Sequence, residues 1–292
     1  MISHPGKPGI RNDKIITNMK IENLYTFKNE KQIWRLLLTT SDKLLIETRD
    51  TDNKEVFFSC LDANTGKPIF ENFQLDEIFW IGIETTYKEV IFFHKFAKPD
   101  MPGHKEIIAL DLNTQKILWQ TDEYAFLFIY DEKVYSFKQL FEGQKFFSLN
   151  YKTGELIEEL ESDYSRIDDL SGKSEIENHY DDYIFPLKYS DEFIDNEEIR
   201  NIINEKTSGA KVTGDVEYNI YENLLLMNFH NKVLEGTLEN KFWAVDIKSK
   251  NELFEVILNS DANAFVPDSF FIYKNLLFLL KGKKEVVVCR IE

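Results

Sequence analysis

The sequence predicts an all-β protein, a β-propeller of about five four-stranded blades that is closed by an N-terminal strand. Three observations lead to this prediction. Short apolar strands recur with a period of roughly 40–50 residues, most of them follow one another without an intervening helical pattern, and a polar turn motif marks each recurrence.

The repeated unit is an apolar strand, a short polar turn and a second apolar strand. Its copies read "FFSCLDANTGKPIF", "IIALDLNTQKILW", "FFSLNYKTGELI" and "FWAVDIKSKNELF". The residues that open the four turns are Asp62, Asp111, Asn150 and Asp246. Their spacings are 49, 39 and 96 residues, and the last is two periods of 48. Two further apolar runs precede each copy, as "IWRLLL" and "KLLIET" precede the first, which gives four strands per unit.

The two ends of the sequence complement each other. The C-terminal run "EVVVCRIE" resembles "EVFFSCLD", but it stops where a turn would begin. An additional strand, Ile21 to Phe27, precedes the first complete unit. If this strand joins the last blade, the ring closes and no strand edge is left open. We therefore expect residues 21–27 to pair with residues 285–291.

The segment 160–214 interrupts the repeat. We interpret it either as an irregular acidic insertion in a five-bladed ring or as a degenerate sixth blade, and we favour the insertion because it contains no turn motif. It has one strand-like run, "YDDYIFPLKY", and one predicted short helix. Asp195 and Glu198 fit a capping box, and Ile194 and Ile199 fit a hydrophobic staple. Ile199, Ile202 and Ile203 form the apolar stripe of this helix.

The motif has a local physical basis. An Asp or Asn at a strand end can accept hydrogen bonds from the residues that follow and so begin a turn. Gly66 and Gly154 suit a left-handed position in the turn, where Gln115 and Lys250 stand in the other copies at a cost of about 1 kcal/mol. We expect one apolar residue per copy to pack between neighbouring blades: Trp119, Phe70, Ile157 and Phe254.

The unit resembles the PQQ-like, or quinoprotein-type, β-propeller repeat, which reads apolar-Asp-x-x-Thr-Gly-Lys-x-x-Trp. Asp62 with Thr65, Gly66 and Lys67 matches it best. The second copy matches at Asp111, Thr114 and Trp119 but lacks the glycine, and the third matches at Asn150, Thr153 and Gly154. A fainter resemblance links "PLKYSDE" and "EYNIYENLLLMNFH" to small bacterial proteins that are known only as a domain of unknown function. The first resemblance implies a fold, and neither implies an activity.

Composition narrows the possible partners. The chain carries 35 Lys and Arg against 51 Asp and Glu, a net charge of −16. Between Glu155 and Arg200 there are 16 acidic and 4 basic residues, so most of the excess lies in one segment. Such a surface repels phosphate backbones and anionic membranes, and we expect neither nucleic acid nor membrane as a partner.

Cys60 and Cys289 each lie in an apolar run, which is typical of buried free thiols and not of a disulfide framework. The N-terminus lacks the apolar region of a signal peptide, so we expect a cytoplasmic protein, unless a leader has been removed. We also expect the protein to be a monomer.

Two groups of residues are candidates for a site. His94 and His104 flank the loop "KFAKPDMPG", and with Asp100 they offer the ligands of a metal site. His179, Asp181 and Asp182 lie together in the irregular segment and have the side chains needed for acid–base catalysis. For both groups a structural or solvent-exposed role is the simpler interpretation. A quinone cofactor is not expected, because quinoprotein dehydrogenases are larger rings with dedicated ligands.

The sequence therefore favours a non-enzymatic β-propeller scaffold or binding protein, whose partner is a protein or a small ligand. The first alternative is a glycosidase-like hydrolase with two carboxylates in the central channel. The second is a metal-binding sensor. The fold itself assigns no chemistry.

Overall fold

The structure is a computed structural model that describes residues 19–96, 103–177, 182–190, 196–234 and 236–292. The described residues form five antiparallel sheets and two helices. In the same residues, no helix is both long enough and apolar enough to cross a membrane.

Three of the sheets have four strands that pair in chain order. The first sheet contains β2 (Gln32–Leu38), β3 (Lys43–Asp50), β4 (Glu55–Asp62) and β5 (Pro68–Phe73). The second contains β6 (Ile81–Tyr87), β7 (Val90–Phe96), β8 (His104–Asp111) and β9 (Lys116–Thr121). The third contains β10 (Ala125–Tyr130), β11 (Lys133–Leu140), β12 (Gly143–Asn150) and β13 (Leu156–Glu161). The predicted repeat of four strands is confirmed in these sheets.

The other two sheets have five strands each. The fourth contains β15 (Leu187–Lys188), β16 (Val212–Tyr221), β17 (Leu224–Leu234), β18 (Thr237–Asp246) and β19 (Glu252–Ala262). The fifth contains β1 (Ile21–Lys28), β22 (Glu285–Ile291), β21 (Leu276–Lys281), β20 (Phe270–Tyr273) and β14 (Tyr183–Ile184). The strand β1 pairs with β22 from Ile21 opposite Ile291 to Lys28 opposite Glu285, as the sequence predicts.

Apolar side chains pack between four pairs of sheets. The fifth sheet contacts the first through residues such as Phe278 and Leu44, and the first contacts the second through Phe58 and Phe93. Further clusters join the second sheet to the third and the fourth to the fifth. These buried faces consist of the inward-facing residues of each strand, as expected for stacked sheets.

Helices cover the remaining faces of the third and fourth sheets. The helix α1 (Tyr164–Glu177) packs Ile167 against the third sheet. The helix α2 (Glu197–Thr207) packs Ile199, Ile202 and Ile203 against the fourth, which confirms the predicted apolar stripe. The sequence predicted one helix in this segment, so α1 is a correction. Its buried face contains Ser174, whose hydroxyl donates to the Ile129 carbonyl at 2.6 Å, and a polar residue there obscures the apolar periodicity.

Helix α2 begins one residue later than predicted. Asn196 is its N-cap, and the Asn196 side-chain oxygen accepts from the backbone N–H of Glu198 at 2.9 Å. The predicted cap Asp195 and the staple residue Ile194 lie outside the described residues.

The motif turns are held by their first residue. Asp62 Oδ1 accepts from the Thr65 N–H at 2.8 Å and from the Thr65 hydroxyl at 2.7 Å, and Asp111 binds Thr114 in the same way. Asn150 accepts from the Thr153 N–H at 3.0 Å, and Asp246 from the Ser249 N–H at 2.7 Å. The fifth position of each turn is left-handed, with φ between 53° and 72°.

The two glycine-containing turns each lie against an aromatic ring. Trp119 on β9 packs over Gly154 in the next sheet and donates its indole N–H to the Tyr151 carbonyl at 2.9 Å. Tyr25 on β1 packs over Gly66 and donates its hydroxyl to the Ala63 carbonyl at 3.0 Å. A side chain at either glycine would collide with the ring, so glycine is required there for space as well as for φ.

The predicted packing of Ile157 between sheets is wrong, because Ile157 is 48 % exposed. The residue equivalent to Trp119 in the third sheet is Glu158. Trp119 lies opposite Ala109, two residues before Asp111, and Glu158 lies opposite Ser148, two residues before Asn150. Glu158 binds Arg166 of α1 through both carboxylate oxygens, at 2.8 and 2.9 Å. An ion pair to the helix therefore replaces the inter-sheet aromatic contact in the third sheet.

Candidate metal centre

Three side chains of the second sheet meet in a cluster that we call the Glu84 site: Glu84, His94 and His104. They come from three adjacent strands, β6, β7 and β8. Glu84 Oε2 lies 2.7 Å from His94 Nδ1 and 2.9 Å from His104 Nδ1. Each residue offers one potential ligand atom, and these three atoms lie within 4.8 Å of one another.

A β-bulge directs Glu84 to this position. The pairing of β6 with β7 shifts between Ile83 and Thr85, so Glu84 is the extra residue. The same irregularity occurs in β2 at Trp34 and in β10 at Leu127. A bulge changes the direction of one side chain without ending the strand. The bulge is thus a feature of the repeat, and the second sheet places a carboxylate in it.

The His94 ring is buried, with 4 % of the residue exposed. It lies opposite Gly82 in the ladder, where a β-carbon would come within 3.2 Å of the ring. Although Nδ1 is near Glu84 Oε2, the carboxylate oxygen does not lie along an N–H direction, and neither ring nitrogen makes a hydrogen bond. The His94 and His104 rings stack with centroids 3.5 Å apart and an interplanar angle of 7°.

The electrostatics of the Glu84 site favour an ionised carboxylate and a neutral outer imidazole. Burial acts to raise the pKa of Glu84, but the two histidines outweigh it and hold this pKa below its ordinary value. Burial and the neighbouring His94 lower the pKa of His104. A neutral imidazole is the form that binds metals.

Side chains of the first sheet hold the backbone that carries Glu84. Glu47 Oε2 accepts from the Ile83 N–H at 3.1 Å, and Arg35 donates to the Ile83 carbonyl at 2.5 Å. Arg49 donates to the Ile81 carbonyl at 2.7 Å. Glu47 and Arg49 form a buried ion pair at 2.7 Å, so their charges balance. Such outer contacts orient the residues that would bind a metal.

Buried polar residues recur at one position of the repeat. The position is the fifth residue in the second strand of each four-stranded repeat. It is Glu47 in β3, His94 in β7 and Asn228 in β17. In each case the first residue of that strand lies opposite the motif acid, so the fifth lies toward the other end of the sheet. The equivalent residues of β11 and β21 are apolar, Phe137 and Leu280. Polar groups therefore gather at the sheet ends that lie away from the motif turns.

A second buried polar cluster lies in the fourth sheet under residues 266–269. Asn228 Nδ2 donates to Asn240 Oδ1 at 3.0 Å, and Asn240 Nδ2 donates to the Ser269 hydroxyl at 2.9 Å. The Ser269 hydroxyl donates to the Val266 carbonyl at 3.0 Å, and His230 Nε2 accepts from the Val266 N–H at 3.3 Å. This cluster holds a loop to the sheet and contains no group of three metal-binding side chains among the described residues.

The structure places the predicted site residues as follows. It brings His94 and His104 together, while Asp100 lies outside the described residues, as do His179 and Asp181. Asp182 directly precedes β14, and its carbonyl accepts from the Lys274 N–H at 3.0 Å. The prediction of catalysis at His179, Asp181 and Asp182 remains a prediction.

Glu84 was missed because the bulge that aims it at the histidines has no signature in a single strand sequence. A usable signal was the presence of charged residues inside apolar strands, Glu47 and Arg49 in "KLLIETRD" and Glu84 after "IGI". Charged residues are almost never buried unless they have a partner, so such positions indicate a site or an ion pair.

One family model matches a part of the chain. A family model described as "Domain of unknown function (DUF4905)" matches residues 38–119. This stretch includes the whole Glu84 site and the Glu47–Arg49 pair. No curated protein matches the chain.

Several solved structures are similar to the chain at low identity. A europium-containing methanol dehydrogenase is 11 % identical, with a TM-score of 0.32, over 90 % of this chain and 52 % of its own. The quinohemoprotein alcohol dehydrogenase of Comamonas testosteroni is 10 % identical, with a TM-score of 0.32, over 91 % and 44 %. An uncharacterized protein from Listeria monocytogenes is 14 % identical, with a TM-score of 0.34, over 86 % and 75 %. The chain spans about half the length of the two dehydrogenases.

Proposed function

We propose that the protein is a non-enzymatic binding protein of the β-propeller type, and that the ligand of its Glu84 site is a divalent transition-metal ion. In this proposal the five sheets form a ring, β1 closes it beside β22, and α1 and α2 fill the space between the third and fourth sheets. The pairing of β1 with β22 and the helix packing support the arrangement.

The observation that carries the metal assignment is the convergence of one carboxylate oxygen and two imidazole nitrogens. First-row metals bind imidazole and carboxylate ligands at about 2.0–2.2 Å. A metal at that distance from Glu84 Oε2 and both Nδ1 atoms would see each oxygen–nitrogen pair at an angle of about 80–90°. Angles near 90° fit neighbouring positions of an octahedron, and two histidines with one carboxylate are the ligands of metal sites that leave positions open for other ligands.

The unpaired nitrogens of His94 support the same conclusion. A buried polar atom without a hydrogen bond costs about 1–3 kcal/mol, and a bound ion would remove that cost at Nδ1. Both Nδ1 atoms lie within 2.9 Å of Glu84 Oε2, but the rings are parallel with centroids 3.5 Å apart, so they must tilt toward each other to bind one ion.

The hydrolase alternative is not favoured. It requires two carboxylates that face each other across about 5–10 Å. Glu84 is engaged by two histidines, and Glu217 on β16 accepts from the backbone N–H of Asp268 at 2.9 Å. In addition, β14 pairs with the outer edge of β20 in the fifth sheet, and β15 pairs with the outer edge of β16 in the fourth sheet. Both edges would otherwise be free.

The test is metal binding by the chelator-treated protein, measured by calorimetry with Zn²⁺ and by elemental analysis after dialysis. We expect one ion per chain. The substitution Glu84→Gln removes the anionic ligand without changing its size, and we expect it to weaken binding by a factor of ten or more, as should His104→Ala. Glu106→Gln is the matched control, because Glu106 lies on β8 but pairs with Lys95. A wild-type protein that binds no metal, or a Glu84→Gln protein that binds as tightly as wild type, would overturn the proposal.

A further inference from the structure

Arg35 lies beside the Glu84 site, and it has no carboxylate partner among the residues that the structure describes. Its guanidinium donates to the Ile83 carbonyl, adjacent to Glu84, and the residue is exposed. Among the described residues it forms no salt bridge, whereas the neighbouring Arg49 forms one with Glu47.

The charges around a bound metal ion can be counted. A divalent ion contributes +2, Glu84 contributes −1 and Arg35 contributes +1, while Glu47 and Arg49 cancel. Counted over the described residues, the loaded site has a net charge of +2 in a protein whose total charge is −16. The exposed side of the site is the His104 side, where 37 % of the side chain is accessible.

We infer that the metal-loaded Glu84 site takes a small oxyanion, a carboxylate or a phosphate, with one oxygen on the metal and another on the Arg35 guanidinium. This inference rests on the proposed function. The arginine fork matches the geometry of such oxyanions, and the open metal positions supply the second contact. A neutral ligand would leave the excess charge unbalanced.

The protein is loaded with Co²⁺, whose visible absorption reports a change of metal ligands, and is titrated separately with acetate and with inorganic phosphate. We expect one of the two anions to change the spectrum with saturation, and the arm that saturates at lower concentration identifies the class. Because Arg35 also holds the Ile83 carbonyl beside Glu84, the anion titration of Arg35→Gln uses enough Co²⁺ to saturate that variant. Under this condition we expect the variant to bind the anion about tenfold more weakly than wild type. Arg35→Lys, which keeps the charge, should recover part of the loss.

Arg290→Gln is the matched control, because Arg290 also has no salt bridge among the described residues and contacts only the Asn64 side chain at 3.2 Å. The inference is overturned if neither anion changes the Co²⁺ spectrum, or if Arg35→Gln and Arg290→Gln bind the anion equally well. In both cases Co²⁺ binding itself remains, and the proposed function stands. If Co²⁺ does not bind to the wild-type protein, the proposed function fails first.

Discussion

Trp119 lies so close to Gly154 that a β-carbon on the glycine would come within 2.6 Å of the indole ring. The two residues belong to neighbouring sheets, and the indole N–H donates to the carbonyl of Tyr151 in the same turn. The motif turn of the third sheet therefore provides the surface on which the aromatic residue of the second sheet packs.

Gly154→Ala should destabilise the protein by about 2–4 kcal/mol, since a left-handed alanine costs about 1 kcal/mol and overpacking about 1–3 kcal/mol. The control is Gly209→Ala, which has the same left-handed backbone, with φ of 76° against 72°, but no atom within 4 Å of the new β-carbon. It should lose only about 1 kcal/mol. Urea unfolding measures both, and equal losses would show that the indole contact is unimportant.

This relationship shows why the repeat of four-stranded sheets was predictable. The motif is local, so Asp62, Asp111, Asn150 and Asp246 revealed the repeat without any knowledge of long-range contacts. The choice of residue in the left-handed position was less clear. Glycine occurs at the two turns that lie against an aromatic ring, while Gln115 and Lys250 adopt the same left-handed conformation in the other two turns.

Long-range register was the part that sequence reasoning could not supply. A shift of one residue along β13 decides which side chain takes the position of Trp119. The predicted residue, Ile157, is exposed, whereas the next residue, Glu158, binds Arg166 of α1. The Glu84 site shows the same limit. His94 and His104 were recognisable as uncommon residues around one loop, but their partner depends on a bulge in a third strand.

The buried pair of Glu47 and Arg49 should be costly to break on one side only. Arg49→Met leaves the Glu47 carboxylate buried without its partner, and we expect a loss of about 3–5 kcal/mol in the free energy of unfolding. Replacing both residues, as in Glu47→Leu with Arg49→Met, should recover much of this loss because no charge remains buried. Denaturant unfolding of the two variants compares them. A double variant as unstable as the single one would show that the pair acts mainly through its backbone hydrogen bonds.

Both thiols should be unreactive in the native protein. Cys60 and Cys289 are completely buried, and burial raises the pKa of Cys60 to about 12 and that of Cys289 to about 11. Because the thiolate is the reactive form, a thiol reagent at pH 8 meets almost none of it. We expect no labelling of the native protein within minutes and two labels per chain in denaturant. Rapid labelling of one thiol in the native protein would contradict the burial.

Glu217 should make the protein less stable as the pH rises. Burial, together with Asp268 and Asp215, raises the pKa of Glu217 in the folded protein above its unfolded value. Its Oε2 has no hydrogen-bond partner, and neither does Oδ1 of Asn228, the residue opposite it in the ladder. Because the Ser269 hydroxyl donates to the Val266 carbonyl, it accepts from Asn240, which in turn accepts from the Asn228 amide nitrogen. The Asn228 oxygen therefore takes no part in this chain of hydrogen bonds. A proton on Glu217 would supply the missing donor.

The sign follows from proton binding. Below a pH of about 4 the carboxyl is protonated in both states, and there is no penalty. As the pH rises from the unfolded pKa toward the raised folded pKa, the unfolded chain binds fewer protons than the folded one, so the free energy of unfolding falls. Glu217→Gln keeps the shape and supplies a permanent donor. It should therefore unfold with a free energy about 1 kcal/mol or more above wild type at pH 7, and equal to it at pH 4. Glu47→Gln, which removes a paired carboxylate, should instead destabilise at pH 7. If Glu217→Gln were equally stable or less stable than wild type at pH 7, Glu217 would have to be stabilised as an ion in the folded protein.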